Sequence, residues 1–254
     1  LFFSASVFAQ DSKKQIERYQ QMLGEGSPAE LWELEGEALW KKPQGPRKVS
    51  LEQCDLGLGA GKVNGAYARL PRYFKDTDKV QDLESRLLTC MQALQGRSAE
   101  ETTQRLFGNA DRPSEMEYLV AYVVGQSRGH RMDSPTTHPK EKQSYELGKQ
   151  VFFYRAGNWD FSCASCHGEE NKRIRMQDLP LLSEPAGARR AYTTWPAYRV
   201  SNSQLKTMQW RINDCYRQMR FPEPDYASEV TIALTHYLAV TAKGEPYRGP
   251  GTKR

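Results

Sequence analysis

Cys163-Ala164-Ser165-Cys166-His167 sets two thiols and an imidazole within five consecutive residues. The run reads as a haem c attachment site, in which both sulfurs form thioether bonds and the adjacent histidine binds the iron. A redox C-x-x-C would need a thioredoxin-like βαβ setting, which the flanking sequence does not offer. A chance match would leave His167 idle.

Outward from this run the chain repeats itself. Gly148 precedes Cys166 by the same interval as Gly36 precedes Cys54, and each glycine is followed on a helical spacing by an apolar pair, Val151-Phe152 and Leu39-Trp40. Arg211-Ile212-Asn213-Asp214-Cys215 has an earlier counterpart in Arg86-Leu87-Leu88-Thr89-Cys90. Each half then ends in an apolar stretch of helical character, Tyr118 to Val124 and Ile232 to Val240. Four matches in one order predict a duplicated, mainly α fold: two tandem cytochrome c-like domains, the first without haem. In the first copy Leu51 stands where Cys163 does, Cys54 where Cys166 does, and Asp55 where His167 does.

The expected organisation is a signal-peptide remnant at 1–9, a haem-less domain at 10–130, a linker at 131–143 and a haem domain at 144–254. Leu1 to Ala9 has the composition of a signal core with small residues near its end, followed by the polar run Gln10 to Lys14. Helices are expected near 27–40, opened by a Ser27-Pro28-Ala29-Glu30 capping box, and near 80–95, 114–124, 144–154, 203–219 and 228–242. His130 and His138 read as linker residues and His236 as a helix-face residue. No stretch approaches the roughly 20 apolar residues that cross a bilayer, and the mean hydropathy is −0.76. The net charge of +5 points to an anionic partner or substrate. The basic residues are scattered and no helix-turn-helix or zinc pattern is present, so nucleic acid is not an expected partner.

Export makes disulfides permissible, and Cys54 with Cys90 is the expected pair, two free thiols being the alternative. With Cys163 and Cys166 bonded to haem, Cys215 is left over. Arg211, four residues earlier, falls on the same helical face, where a guanidinium favours thiolate and can hold an anion. The iron bound by His167 needs a further ligand. Cys215 is favoured as a thiolate, with Met208 and Met219 as the alternatives, and these would make the chain a soluble electron carrier. An open-site peroxidase is less well supported because no distal histidine is evident.

The run Thr194-Trp195-Pro196-Ala197-Tyr198-Arg199 through Arg211-Ile212-Asn213-Asp214-Cys215-Tyr216 after the Cys163–His167 motif, together with Leu51 to Gly57 and Leu70-Pro71-Arg72-Tyr73, resembles the SoxA family of the SoxAX cytochromes of bacterial sulfur oxidation. The likeness covers nearly the whole chain after residue 9. It implies the single-haem form, in which a disulfide replaces the first haem. It also implies a periplasmic L-cysteine S-thiosulfotransferase acting on thiosulfate with the haem subunit SoxX and the carrier SoxYZ. Carried over by motif, Cys163 and Cys166 hold one haem c, His167 and Cys215 are its axial ligands, Arg211 binds substrate, and Cys215 carries a persulfide.

Overall fold

The computed structural model describes residues 26–104, 107, 113–174 and 177–253. The expected signal remnant at 1–9 lies outside them. The first half runs through α1 (Ala29–Lys41), a short hairpin of β1 (Arg72–Phe74) and β2 (Lys79–Gln81), α2 (Leu83–Cys90), α3 (Ala99–Gln104) and α4 (Glu115–Gly125). The second half follows with α5 (Pro139–Phe153), α6 (Cys163–His167), the two-residue strands β3 (Arg173–Ile174) and β4 (Gln177–Asp178), and α7 (Pro185–Tyr192). It continues through β5 (Ala197–Arg199), β6 (Gln204–Lys206), α8 (Met208–Gln218), α9 (Glu229–Thr241) and β7 (Gly251–Lys253). Helices dominate, as expected.

The duplication is visible in packing. Helix α1 crosses α4 at Gly36, where an added Cβ would stand 2.0 Å from the Tyr118 carbonyl oxygen. Helix α5 crosses α9 at Gly148, where the same atom would stand 1.9 Å from that of Ala233. One turn on, Trp40 meets Tyr122 with ring centroids 5.9 Å apart, and Phe152 meets Tyr237 at 5.1 Å. The loop after the first helix of each half is pinched by an isolated bridge, Gln44 to Val49 and Ala156 to Phe161. Each half then has a small antiparallel hairpin, with Tyr73 opposite Val80 and Tyr198 opposite Leu205, leading into the helix that ends in or contains Cys90 or Cys215.

Several element starts differ from expectation, each because of a cap or turn. Helix α5 begins at Pro139, inside the expected linker, because His138 Nδ1 accepts the Lys140 N–H and the Glu141 carboxylate accepts that of His138. His138 also stacks on Tyr73 at 3.7 Å. The rest of the linker is packed down: Met132 is buried, Asp133 N–H donates to Ala68 O, and the Ser134 hydroxyl donates to Pro71 O. Residues 79–81 and 204–206 are strands, and the following helices start after the caps Asp82 and Thr207. At the first helix Ser27 Oγ accepts from Ala29 N–H, and Pro28 occupies the cap position in place of the expected box with Glu30. His236 lies on the buried face of α9, its Nε2 2.9 Å from Pro135 O.

One buried apolar cluster runs through both halves. At the junction Tyr67 stacks on its counterpart Tyr192 and meets Tyr247 edge-on, and its hydroxyl donates to Trp195 O at 3.1 Å. Strand β7 pairs in parallel with β5, and Thr252 on it lies 3.2 Å, oxygen to oxygen, from the Ser27 hydroxyl at the start of α1.

Cys54 and Cys90 are joined by a disulfide with Cα atoms 5.6 Å apart. Their counterparts are Cys166 and Cys215. Leu51 is buried, and Asp55 closes its own loop by accepting the Gly57 and Gly59 N–H groups. Arg86, the counterpart of Arg211, is bound to Asp55 O and the Asp76 carboxylate and lies 4.0 Å over the Phe74 ring. Leu51, Asp55 and Arg86 are thus each engaged within the first half itself.

Replacing both Cys54 and Cys90 with serine is expected to lower unfolding free energy by about 4 kcal/mol, from the loop entropy restored to the unfolded chain. Gly148→Ala is expected to lower it by about 2–3 kcal/mol by forcing α5 from α9. Denaturant titration checks both, and an unchanged midpoint for Gly148→Ala would refute the backbone contact.

Candidate haem and thiol site

Helix α6 is short because it has one task, to display Cys163, Cys166 and His167 from a single turn. Ser162 caps it, accepting the Ser165 N–H while Ser165 Oγ accepts that of Ser162. His167 is only 8% exposed, and its Nδ1 lies 2.8 Å from Pro180 O. With the proton on Nδ1 pointing at that carbonyl, Nε2 is left as a lone-pair donor. The His167 carbonyl in turn accepts the Leu182 N–H, so the 180–182 segment grips the residue at both ends.

Helix α8 supplies the other wall. Arg211 and Cys215 both lie on it, one turn apart. Cys163, Cys166 and Cys215 are unpaired and partly buried, in contrast to the bonded pair in the first half. Burial pushes Cys163 up to about 12, with the Cys215 and Cys166 sulfurs adding repulsion. Cys215 also feels Cys166 and Arg211, and His167 feels Arg211. The structure therefore brings together Cys163, Cys166, His167, Arg211 and Cys215. Met208 is packed into the shared core at the start of α8, and Met219 is buried at its C-terminal cap.

The electrostatics differ from the expectation drawn from spacing. Arg211 does lower the Cys215 thiol, but burial outweighs it and the net direction is upward. Arg211 is also paired with Asp214, which extends to Arg217, and lies 5.8 Å from the Trp195 ring. Neither Lys206 nor Arg217 stands ready to draw in an anion: Lys206 is fully buried and bonded to Glu117 at 3.0 Å, and Arg217 is held by Glu223. Pro180, Trp195 and Asp214 escaped the sequence reading. Asp214, three residues from Arg211, carried a legible signal, whereas a backbone carbonyl carries none.

The donor set fits a haem c. Two free thiols share a turn with an imidazole whose distal nitrogen is available, and a third free thiol faces them. A bound metal ion would supply what Arg211 alone does not, since coordination deprotonates a thiol outright.

The model of the SoxA/TsdA cytochrome c domain matches residues 35–132 and again 147–247, which are the two halves described above. The chain belongs to the SoxA/TsdA family. A SoxA subunit of L-cysteine S-thiosulfotransferase from Hydrogenophilus thermoluteolus is 51% identical across 98% of this chain and 93% of its own length. One from Hydrogenobacter thermophilus is 38% identical across 97% of this chain and 89% of its own. The crystal structure of SoxXA from P. pantotrophus shares the fold with a TM-score of 0.76 at 22% identity, covering 93% of this chain and 84% of that one. Cytochrome c domains carry haem c, in keeping with the Cys163–His167 turn of this SoxA-family chain. Among the described residues no helix is long and apolar enough to cross a membrane.

Lys206→Met is expected to cost about 3–5 kcal/mol by leaving Glu117 buried without its cation, and pairing it with Glu117→Gln should recover much of the loss. Thermal unfolding of the single and double variants checks this, and additive losses would rule out coupling.

Proposed function

We propose that this chain is the haem subunit of a periplasmic L-cysteine S-thiosulfotransferase that joins thiosulfate oxidatively to a cysteine sulfur. The observation that carries the reading is the convergence of Arg211 and Cys215 on the C-x-x-C-H turn. Cys163 and Cys166 would hold one haem c covalently, His167 and Cys215 would bind its iron, and the first half would hold none. When bound, the haem accepts one electron at a time, so the pair of electrons released by the reaction also calls for the haem of a SoxX-type partner.

The rest belongs to the chain's own residues. Arg211 receives the thiosulfate dianion, exchanging part of its pairing with Asp214 for the substrate, and directs the outer sulfur toward Cys215. Bonding of that sulfur to the Cys215 thiolate, or to a persulfide sulfur on it, releases two electrons and leaves a sulfonate-ended chain with one negative charge. A thiolate of a SoxYZ-type carrier then attacks the sulfur that bears the sulfonate, takes both, and returns Cys215 as its thiolate, or as its persulfide anion where it began as one. Arg211 offsets the repulsion between two approaching anions, a role commonly worth several kcal/mol in the transition state.

Arg211→Ala is expected to reduce thiosulfate coupling by at least 100-fold with the haem spectrum kept, and unchanged coupling would remove Arg211 from the substrate site. Mass spectrometry of the Cys215 peptide, purified without reductant and treated with thiosulfate, an electron acceptor and the SoxX-type partner, should reveal added sulfur that reductant removes. A bare thiol throughout would favour the electron-carrier reading.

A further inference from the structure

The N-terminal turn of α8 is held by the opposite half of the molecule. Gln209, wholly buried, donates its backbone N–H to Glu84 Oε1 at 3.2 Å and its side-chain Nε2 to Asp82 Oδ2 at 2.6 Å, and its Oε1 accepts the Ala227 N–H at 2.6 Å. The Thr207 hydroxyl caps α8 by accepting the Trp210 N–H. Asp82 is shared: its Oδ1 caps α2 through the Ser85 N–H while its other oxygen takes Gln209. Both carboxylates are 1% exposed.

Two acids in a core are costly, and an ordinary cap on α8 would need neither, since Thr207 already supplies one. They sit where the positive ends of α2 and α8 meet, which offsets part of the cost. Burial and the neighbouring Asp82 push Glu84 up to about 8, and burial raises Asp82 as well.

We propose that the Asp82–Glu84 pair of the first half is a positioning device for Arg211 and Cys215, fixing the start of α8 through Gln209. The inference rests on the reading that Arg211 and Cys215 form the reactive site, and it gives the first half a part in that reaction. Arg211 lies two residues beyond Gln209, and its N–H bonds to Thr207 O, so a displacement of the clamp passes directly to the guanidinium and, one turn later, to the sulfur. The disulfide at Cys90 anchors the far end of α2, making the clamp's base rigid. A misplacement near 1 Å of a substrate-positioning group can cost 100-fold in rate.

The test uses the haem-loaded protein with its partner subunit and compares Gln209→Leu, Glu84→Ala and Glu84→Gln. For Gln209→Leu and Glu84→Ala, amide exchange at residues 209–215 should quicken at least tenfold and the low-spin ferric resonance should split or shift. The coupling kcat should fall about tenfold or more with KM within threefold. Glu84→Gln keeps an accepting oxygen and should leave all three within twofold of the parent. Lower thermal stability with unchanged exchange, resonance and kcat in the first two variants would overturn the proposal, as would equal effects of Glu84→Gln and Glu84→Ala. If Gln209→Leu does not fold, Glu84→Ala against Glu84→Gln decides alone. Exchange and resonance need no thiosulfate, so a neutral Arg211→Ala would sink the functional reading while these readouts still judge the clamp.

Discussion

Two helices can cross with their backbones in contact only where no side chain stands between them. Here that condition is met twice, at Gly36 and Gly148, where a Cβ would come within 2.0 Å or less of a carbonyl on the opposing helix. Overlap of that size cannot be absorbed by a rotamer change, because the obstructing atom is backbone. Each crossing brings the loop after its first helix back toward the helix that bears Cys90 or Cys215. The opposed sulfurs, bonded in one half and free in the other, follow from the same geometry.

Burial and charge pull the site in opposite directions. An isolated Cys215 in its surroundings would hold its proton, and Arg211 only moderates this while it is shared with Asp214. The pocket by itself therefore favours the thiol over the thiolate. The same logic separates the two halves: Arg86 is committed to Asp76 and a backbone carbonyl, whereas Arg211 is tethered by one carboxylate three residues away on its own helix.

Local patterns made much of this legible. The C-x-x-C-H run, the glycine-to-cysteine interval and the Arg-x-x-x-Cys spacing are short-range features, and each points to the element it became. What escaped depends on distant or backbone partners. Pro180 acts through its carbonyl, Lys206 is buried by a helix from the other half, and α5 starts early because a histidine serves as its cap. Strands of two or three residues are too short to show alternation. Spacing placed Arg211 beside Cys215 correctly but says nothing of desolvation, and so gave the wrong sign for the net shift of the thiol.

Strand β7 reaches back to the start of α1. Thr252 on β7 meets Ser27, and β7 completes the small sheet whose β6 strand leads into the cap of α8. The first helix of one half and the Cys215 helix of the other therefore rest on one three-stranded sheet, so that disturbing either support disturbs both.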